Sequence, residues 1–473
     1  GCESALGSRA VVAQRPLIKG RLAATRVRAG GGVVMAEEDI PVLKIISPEE
    51  VESEDFEPVD PKAREQALAI LTEVKTGGEA GFLAVARRFK EIAPDSSKYL
   101  LDRDELKKAF EGLPKEQQDV LTRTAARIRK FAEAQRDSIR SIEVDIEGGR
   151  AGQTVEPVRR AGCYAPGGRY PLPSSVLMTV CTARAAGVRE VIVASPNPAE
   201  VTKGAAYVAD ADCLLCIGGA QAIGAMAYGV GERVKPVDII VGPGNKWVTA
   251  AKSIVSGICG IDMLAGPSEV LIIADSAADP EVIAADLLAQ AEHDTEARPI
   301  LVTPDRSVID NVNAALRRQL AVLPTREVAI LAVRNGFAVL TKDMDEAVAV
   351  TNRVAPEHLE VQTEDAVELS KRLTAYGGLF VGFMAAEVLG DYGAGPNHVL
   401  PTSCTAKYTG GLSVHTFQRK TTWMRIDDRE AAQQQVADSV LLARLEGLEG
   451  HARAAEKRLL QVPSGSAAKK ARS

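Results

Sequence analysis

From about residue 155 onward, short apolar runs of strand length alternate with segments of helical periodicity, and this alternation constrains the fold more than any other feature. Val188 to Ala194, Cys213 to Ile217, Val237 to Val241, Val270 to Ala274, Pro299 to Thr303, Phe337 to Leu340 and Gly378 to Val381 read as strands. Helices are predicted among them at Ala199 to Asp210, Ala220 to Tyr228, Lys246 to Val255 and Pro280 to His293. Strands joined through helices pair in parallel, and their sheets are covered on both faces. The alternation is too long for one compact sheet, which predicts two parallel-sheet α/β units, and a length of 473 residues fits two or three domains.

The flanks differ. Residues 60–146 read as helical: Asp60-Pro61 opens a segment through Lys90, and Asp104 to Glu111 and Glu116 to Ile142 continue it, with Ala125, Ile128, Phe131 and Ala132 on one side. Asp427 to Leu460 is a polar helical stretch beyond the last strand, which needs its own chain or a partner subunit to pack on. Residues 1–36 carry Arg9, Arg15, Lys19, Arg21, Arg26 and Arg28 against the single acid Glu3. An Arg-rich, acid-poor leader is the pattern of a transit peptide. Val27-Arg28-Ala29 looks like a plastid processing site, so the plastid stroma is expected ahead of the mitochondrion. Residues 462–473 read as a disordered tail. A net charge of −6 argues against a nucleic-acid partner. No apolar run approaches the roughly 18–20 residues that span a bilayer, so no membrane crossing is expected. Seven scattered cysteines, an odd number, are no disulfide framework, and Cys213 and Cys216, inside an apolar run without a second pair, read as small core residues.

Four groups of residues carry possible chemistry. Ile217-Gly218-Gly219-Ala220-Gln221 and Val241-Gly242-Pro243-Gly244-Asn245 lead from strand straight into helix. Glycine lets backbone approach a ligand, and a helix N-terminus favours phosphate. Without a G-x-G-x-x-G fingerprint, plain tight turns fit as well as a cofactor site. Gln290 and His293 stand three apart on a predicted helix and share a face, as a metal site or as a solvated pair. Glu357 and His358 are adjacent and can serve one pocket as water activator and base, although Glu-His pairs also occur on plain surfaces. Asp391, in the glycine-rich Leu389 to His398, is a candidate metal ligand with His398 as its hydrogen-bonding partner, in a loop shaped around a ligand. His415 has no such setting and reads as structural.

Taken together these segments resemble the histidinol dehydrogenase family. The matching motifs are Cys163 to Gly168, Gly218 to Ile223, Gly242 to Asn245, Ala265 to Glu269, Gln290 to His293, Ala355 to Leu359, Gly390 to Tyr392 with Asn397 to Thr402, and Glu446 to His451, in order from about residue 43 to about 460. The resemblance implies two incomplete Rossmann-like domains. Residues 37–160 would be a helical N-terminal part joining the first α/β domain, 161–267 the NAD-binding domain, 268–400 the first α/β domain carrying zinc and catalytic residues, and 401–461 a dimerisation segment. It implies one zinc ion held by Gln290, His293 and Asp391 of one subunit and His451 of the other, in a homodimer with shared active sites. Ser268, His358 and Glu446 would join these ligands around the substrate histidinol, and Tyr164, Gln221 and Asn245 would contact NAD+. His358 would be the base for hydride departure and Glu357 the activator of the water that adds to histidinaldehyde, ahead of a second hydride transfer.

Three departures stand out. Phe383-Met384-Ala385-Ala386-Glu387 replaces a more usual Ser-Pro-Glu, and Phe131-Ala132-Glu133 lacks the family's usual histidine; both are expected to touch loop packing and not the ligand set. Cys163 stands where an aliphatic residue is commoner, and a thiohemiacetal there is an option the family does not need. Rival readings are a sister zinc/NAD dehydrogenase of another small alcohol such as a sulfonated diol, in which Ser268 and Glu446 should differ; a metal-dependent hydrolase, which leaves Gln221 and Asn245 unexplained; and a zinc-free paralogue with a binding role.

Overall fold

A computed structural model describes residues 40–51, 59–167 and 170–460; the leader and tail lie outside the described residues. The chain runs β1 (Lys44–Ile46), α1 (Pro61–Arg88), β2 (Leu100–Asp102), α2 (Arg103–Glu111), α3 (Lys115–Ser138), β3 (Ile142–Ile146), β4 (Gly149–Pro157), β5 (Arg160–Tyr164), α4 (Pro173–Ala186), β6 (Glu190–Ala194), α5 (Glu200–Ala209) and β7 (Cys213–Leu215). It continues through α6 (Gly219–Tyr228), β8 (Ile239–Val241), α7 (Lys246–Val255), β9 (Gly260–Ile261), β10 (Glu269–Ala274), α8 (Pro280–Ala291), β11 (Arg298–Thr303), α9 (Arg306–Val322), α10 (Arg326–Asn335) and β12 (Phe337–Leu340). Last come α11 (Met344–Val354), β13 (His358–Gln362), α12 (Ala366–Ser370), β14 (Gly378–Val381), α13 (Glu387–Asp391), β15 (Gln418–Ile426), α14 (Gln433–Leu445) and α15 (Glu449–Glu456).

Two six-stranded sheets form, ordered β2-β7-β6-β5-β8-β9 and β1-β12-β11-β10-β13-β14. The second is parallel throughout, and the first is parallel except for β2 against β7. β10 is buried along its whole length, the mark of a central parallel strand. In both sheets the strand order reverses about one strand: β5 has β6 on one side and β8 on the other, and β10 has β11 and β13. Helices α4 and α5 cover one face of the first sheet and α6 and α7 the other. The second sheet is covered by α8, α9 and α10 on one face and by α11 and α12 on the other. No helix among the described residues is long and apolar enough to cross a membrane.

Several sequence expectations shift. Residues 60–146 are not all helical, since β2 and β3 lie within them. α1, α2 and α3 pack on helices of the first sheet, whereas β1 alone carries this part of the chain to the second. β3, β4 and β15 form a third, antiparallel sheet. Strand β3 is mostly exposed, so it lacks the apolar alternation that announces a half-buried strand. β13 was hidden for the opposite reason: Glu360 and Gln362 are polar, yet both are buried. Helix α8 stops at Ala291, so His293 lies beyond the helix, held by its N–H donating to the Gln290 carbonyl at 3.2 Å.

Candidate active site

The candidate catalytic residues Glu357 and His358 lie at the amino ends of β10 and β13, where Val270 pairs with His358. His358 is 4% exposed. Its Nδ1 lies 3.2 Å from the Glu269 carbonyl oxygen and 3.0 Å from Gln290 Oε1. Both neighbours are acceptors, so Nδ1 carries the proton and donates, which leaves the Nε2 lone pair free. That Nε2 has no hydrogen-bond partner among the described residues. Burial pushes the His358 pKa down to about 3, opposed by the Glu269 carbonyl, so the ring is neutral with its lone pair on Nε2.

Beside it, Glu357 is buried and its Oε2 accepts the Glu269 N–H at 3.0 Å. Burial lifts its carboxyl well above the usual range, against the hydrogen bonds from the Glu269 N–H and the Ser268 hydroxyl. The Glu357 carbonyl accepts from Gly378 N at 2.8 Å, which fixes the turn between α11 and β13 against β14. Across the site, the Ser403 N–H donates to Glu269 Oε1 at 2.9 Å and the Gly266 N–H to Thr402 Oγ1 at 2.6 Å, so the Asn397 to Thr402 motif closes the floor.

His293, Glu387 and Asp391 each present a ligand atom, all within 4.8 Å of one another. His293 Nε2 is 3.6 Å from Asp391 Oδ2 and 3.7 Å from Glu387 Oε1, and His358 Nε2 is 3.7 Å from Asp391 Oδ1. Gln290 Nε2 and both Glu387 oxygens are buried without hydrogen-bond partners. Burial, then the Asp391 and Glu357 charges, pushes the Glu387 carboxyl well above its ordinary range. Burial raises Asp391 to about 6, with His293 opposing. His398, whose Nδ1 donates to the Asp391 carbonyl at 3.0 Å, is pushed down to about 4 by its burial and is neutral. A buried, unpartnered acid, Glu387, crowded by Asp391 beside the neutral imidazoles of His358 and His398, is costly as it stands and favours entry of a cation. The donor set of N and O atoms suits zinc, and the carboxyl end of α8 points its negative dipole at the same place.

The second edge is in the first sheet, at the carboxyl ends of its strands. Tyr164 ends β5, and its hydroxyl accepts the Gly219 N–H at 3.1 Å. Gln221, one turn into α6, is also buried. Asn245 caps α7, its Oδ1 accepting from Trp247 N at 3.1 Å and Val248 N at 3.2 Å. Gly242 has φ +114°, and a Cβ there would sit 2.0 Å from the Tyr164 carbonyl, so only glycine lets this turn cross β5. The turn is held by Lys252, whose Nζ donates to the Gly242 carbonyl at 3.0 Å, and by Asp262, whose Oδ2 accepts the Gly242 N–H at 2.7 Å. Lys252 and Asp262 form an ion pair that is 3% and 1% exposed.

The structure thus brings Ser268, Gln290, His293, Glu357, His358 and Asp391 together, and sets Tyr164, Gln221 and Asn245 on the other edge. It leaves Glu446 and His451 apart, both exposed on the α14–α15 arm. Glu387 is the residue sequence reasoning missed: the segment ending in it was assigned to loop packing, yet it joins the metal-compatible group. Its signal was its place one helical turn before Asp391. The glycines of Leu389 to His398 also need another explanation than a ligand. A Cβ at Gly393 would meet Thr124 Cγ2 at 2.4 Å, and Arg127 Nε donates to the Gly393 carbonyl at 2.7 Å, so the loop is shaped by docking on α3. Asn397 Nδ2 fastens it to α4 through the Met178 carbonyl at 2.9 Å and Thr182 Oγ1 at 3.0 Å. Cys163 is fully buried and pushed up to about 12, which removes it as a nucleophile. Burial likewise raises Cys213 to about 12 and Cys216 to about 11, as small core thiols.

A strand-order reversal in each parallel sheet, together with a buried neutral imidazole and a group of side chains that could hold a metal, is the layout of a two-sheet α/β enzyme. The sequence profile of histidinol dehydrogenase matches residues 56–459, and the chain belongs to that family of oxidoreductases. Histidinol dehydrogenase of Thermus thermophilus is 45% identical over 403 residues, 84% of this chain and 95% of the relative. That of Dechloromonas aromatica is 42% identical over 398 residues, 83% of this chain and 91% of the relative. The crystal structure of histidinol dehydrogenase from Elizabethkingia anophelis matches with a TM-score of 0.81 at 29% identity, covering 88% of this chain and 98% of that one.

Proposed function

We propose that the chain catalyses the last steps of histidine biosynthesis, oxidising L-histidinol to L-histidine through histidinaldehyde with one water and two NAD+. Family membership supports the reaction. The observation that carries the assignment of roles is His358, with Nδ1–H tied to two acceptors and Nε2 free, neutral and aimed at the metal-compatible group. His358 Nε2 takes the alcohol proton as the first hydride leaves the carbinol carbon for NAD+. Glu357, whose burial strengthens it as a base once ionised, takes a proton from the water that adds to the aldehyde carbon. His358 then removes a proton from the hydrate as the second hydride departs. Gln290, His293 and Asp391 would hold zinc, with His451 of the partner subunit, and Ser268 and the partner subunit's Glu446 would complete the substrate pocket. Zinc, when bound, supplies a positive point that fixes and orients the substrate.

Tyr164, Gln221 and Asn245 fit a nucleotide: they stand at the carboxyl edge of an incomplete Rossmann-like sheet, around a turn that admits no Cβ at Gly242. We assign cofactor binding to residues 161–267, metal and catalysis to 268–400, and dimerisation to 401–461. The arm exposes Leu441, Leu442, Leu445 and Leu448 alongside Glu446 and His451, which supports packing on a second copy. The Arg-rich leader supports residence in the plastid stroma; a reporter fused to residues 1–36 that stays diffuse in the cytosol refutes it.

The decisive experiment is NADH formed per histidinol consumed, followed at 340 nm with zinc present. Two NADH per histidinol, lost on chelation and in His358→Ala, establishes the four-electron reaction. No NADH from a folded, zinc-loaded chain rejects it and returns the sister dehydrogenase and hydrolase readings. Mixing His358→Ala with His451→Ala subunits tests the shared site. Activity recovered from two inactive parents supports it, and none recovered from demonstrated mixed dimers overturns it.

A further inference from the structure

In doubly wound nucleotide-binding sheets, an acid at the end of the second strand takes a ribose hydroxyl. Here the equivalent strand is β6, and it ends in Ala194-Ser195-Pro196, with no acid. Ser195 is fully buried there, and its hydroxyl has no partner among the described residues.

A carboxylate reaches the crevice from elsewhere. Helix α1 closes with Lys90 in the left-handed region at φ 59°, and the Glu91 N–H returns to the Ala86 carbonyl at 3.0 Å. This reversal throws the Glu91 side chain onto the start of α6. Its Oε1 accepts the Gly218 N–H at 2.8 Å and its Oε2 accepts Gln221 Nε2 at 2.7 Å. One of the donors that a helix N-terminus usually offers to phosphate, the Gly218 N–H, is therefore met by the chain's own carboxylate, and the next, the Gly219 N–H, by the Tyr164 hydroxyl. Because a carboxylate only accepts, Gln221 must turn its NH2 toward Glu91 and its carbonyl away. Each Glu91 oxygen keeps a lone pair, and the residue is only partly buried.

We propose that Glu91 is a specificity-determining residue of the cofactor crevice: its carboxylate accepts a ribose hydroxyl of NAD+, fixes the Gln221 amide, and repels the additional phosphate of NADP+. This rests on the assignment of the crevice to NAD+. Like charges brought together in a partly desolvated site repel, which sets the direction of the discrimination.

The test is calorimetric titration of the full chain with NAD+ and with NADP+, without histidinol, for wild type, Glu91→Gln and Glu91→Ala. Wild type should bind NAD+ at least about 30-fold more tightly than NADP+. Glu91→Gln keeps the shape but removes the charge. It should weaken NAD+ about three- to tenfold and tighten NADP+ about tenfold, with the same shift in the ratio of kcat/KM values and an unchanged KM for histidinol. A ratio of the two affinities that stays within about twofold of wild type in Glu91→Gln overturns the proposal. If Glu91→Ala fails to fold, Glu91→Gln still decides. If wild type binds neither nucleotide, the NAD+ assignment itself fails, an outcome separate from an unmoved ratio.

Discussion

Replacing Lys252 by methionine should expose how much of the cofactor edge depends on one buried charge. Lys252 and Asp262 are 3% and 1% exposed, so neither is rescued by solvent when the other is removed. Methionine fills much of the space but leaves Asp262 without its cation. The carboxylate keeps two backbone donors, Gly242 N and Met263 N, both at 2.7 Å. Breaking one side of a buried pair costs about 3–5 kcal/mol, and the two donors put this case near the lower end. The Gly242 carbonyl also loses its Lys252 donor, which adds roughly 1 kcal/mol and loosens the turn leading to Asn245. The assay is urea unfolding followed by tryptophan fluorescence and circular dichroism, read at the first transition because two sheets need not unfold together. Asp262→Leu and the double variant complete a cycle, with an expected coupling of about 2 kcal/mol or more. A loss below about 1 kcal/mol in Lys252→Met, or coupling under about 0.5 kcal/mol, would refute the view that this pair holds the turn.

Three further outcomes are expected. Glu360 is pushed up to about 8, by burial first and then by Asp286, so the folded chain keeps a proton that the unfolded chain releases near its ordinary 4.5. Stability from this pair is complete below about pH 4.5 and is lost as pH rises toward about 8, so Glu360→Gln should flatten the fall of Tm over that window in chelator; an unaltered slope counts against it. Glu387→Gln removes one of the crowded acids, and should raise Tm without metal while weakening zinc by about tenfold or more in chelator competition; a lower apo Tm with unchanged zinc affinity defeats that reading. His358→Asn should lower kcat by about 10²- to 10⁴-fold with zinc content unchanged, and a kcat near wild type removes His358 as the base.

Much of the fold was legible because parallel strands covered on both faces must be apolar, as β6, β10 and β11 are. β13 escaped because its polar residues are buried with partners: Glu360 accepts the Glu387 N–H at 2.7 Å, and Gln362 bridges Glu360 and Asp286 at 3.3 Å each. Local pattern records hydropathy and cannot show that a neighbouring element supplies the partner. The metal-compatible group was legible mainly through family motifs, since Gln290 and His293 alone fit a capping or solvated pair better. Glu91 left no signal, because its placement depends on α1 reversing at Lys90 and packing on α6. The glycines of the Asp391 loop misled for a related reason: their neighbours, Thr124 and Phe131, stand some 270 residues earlier in the chain.

The crossing of the chain between its sheets also sets the order in which the enzyme can assemble. β1 is laid down early, but its pairing partner β12 begins only at Phe337. The whole of the first sheet, from Leu100 to Ile261, is synthesised in between. During synthesis from the N-terminus, all six strands of the first sheet are therefore present while the second lacks β10 and β13, yet the core of the first sheet is complete only when Val399, Leu412, Val414 and Phe417 arrive. β4 waits longer still, since Gly149 meets Ile426 only after the last strand has emerged. A ribosome-bound intermediate would therefore hold the strands of both six-stranded sheets before the core of the first is sealed, because the segment from Val399 to Phe417 emerges after them.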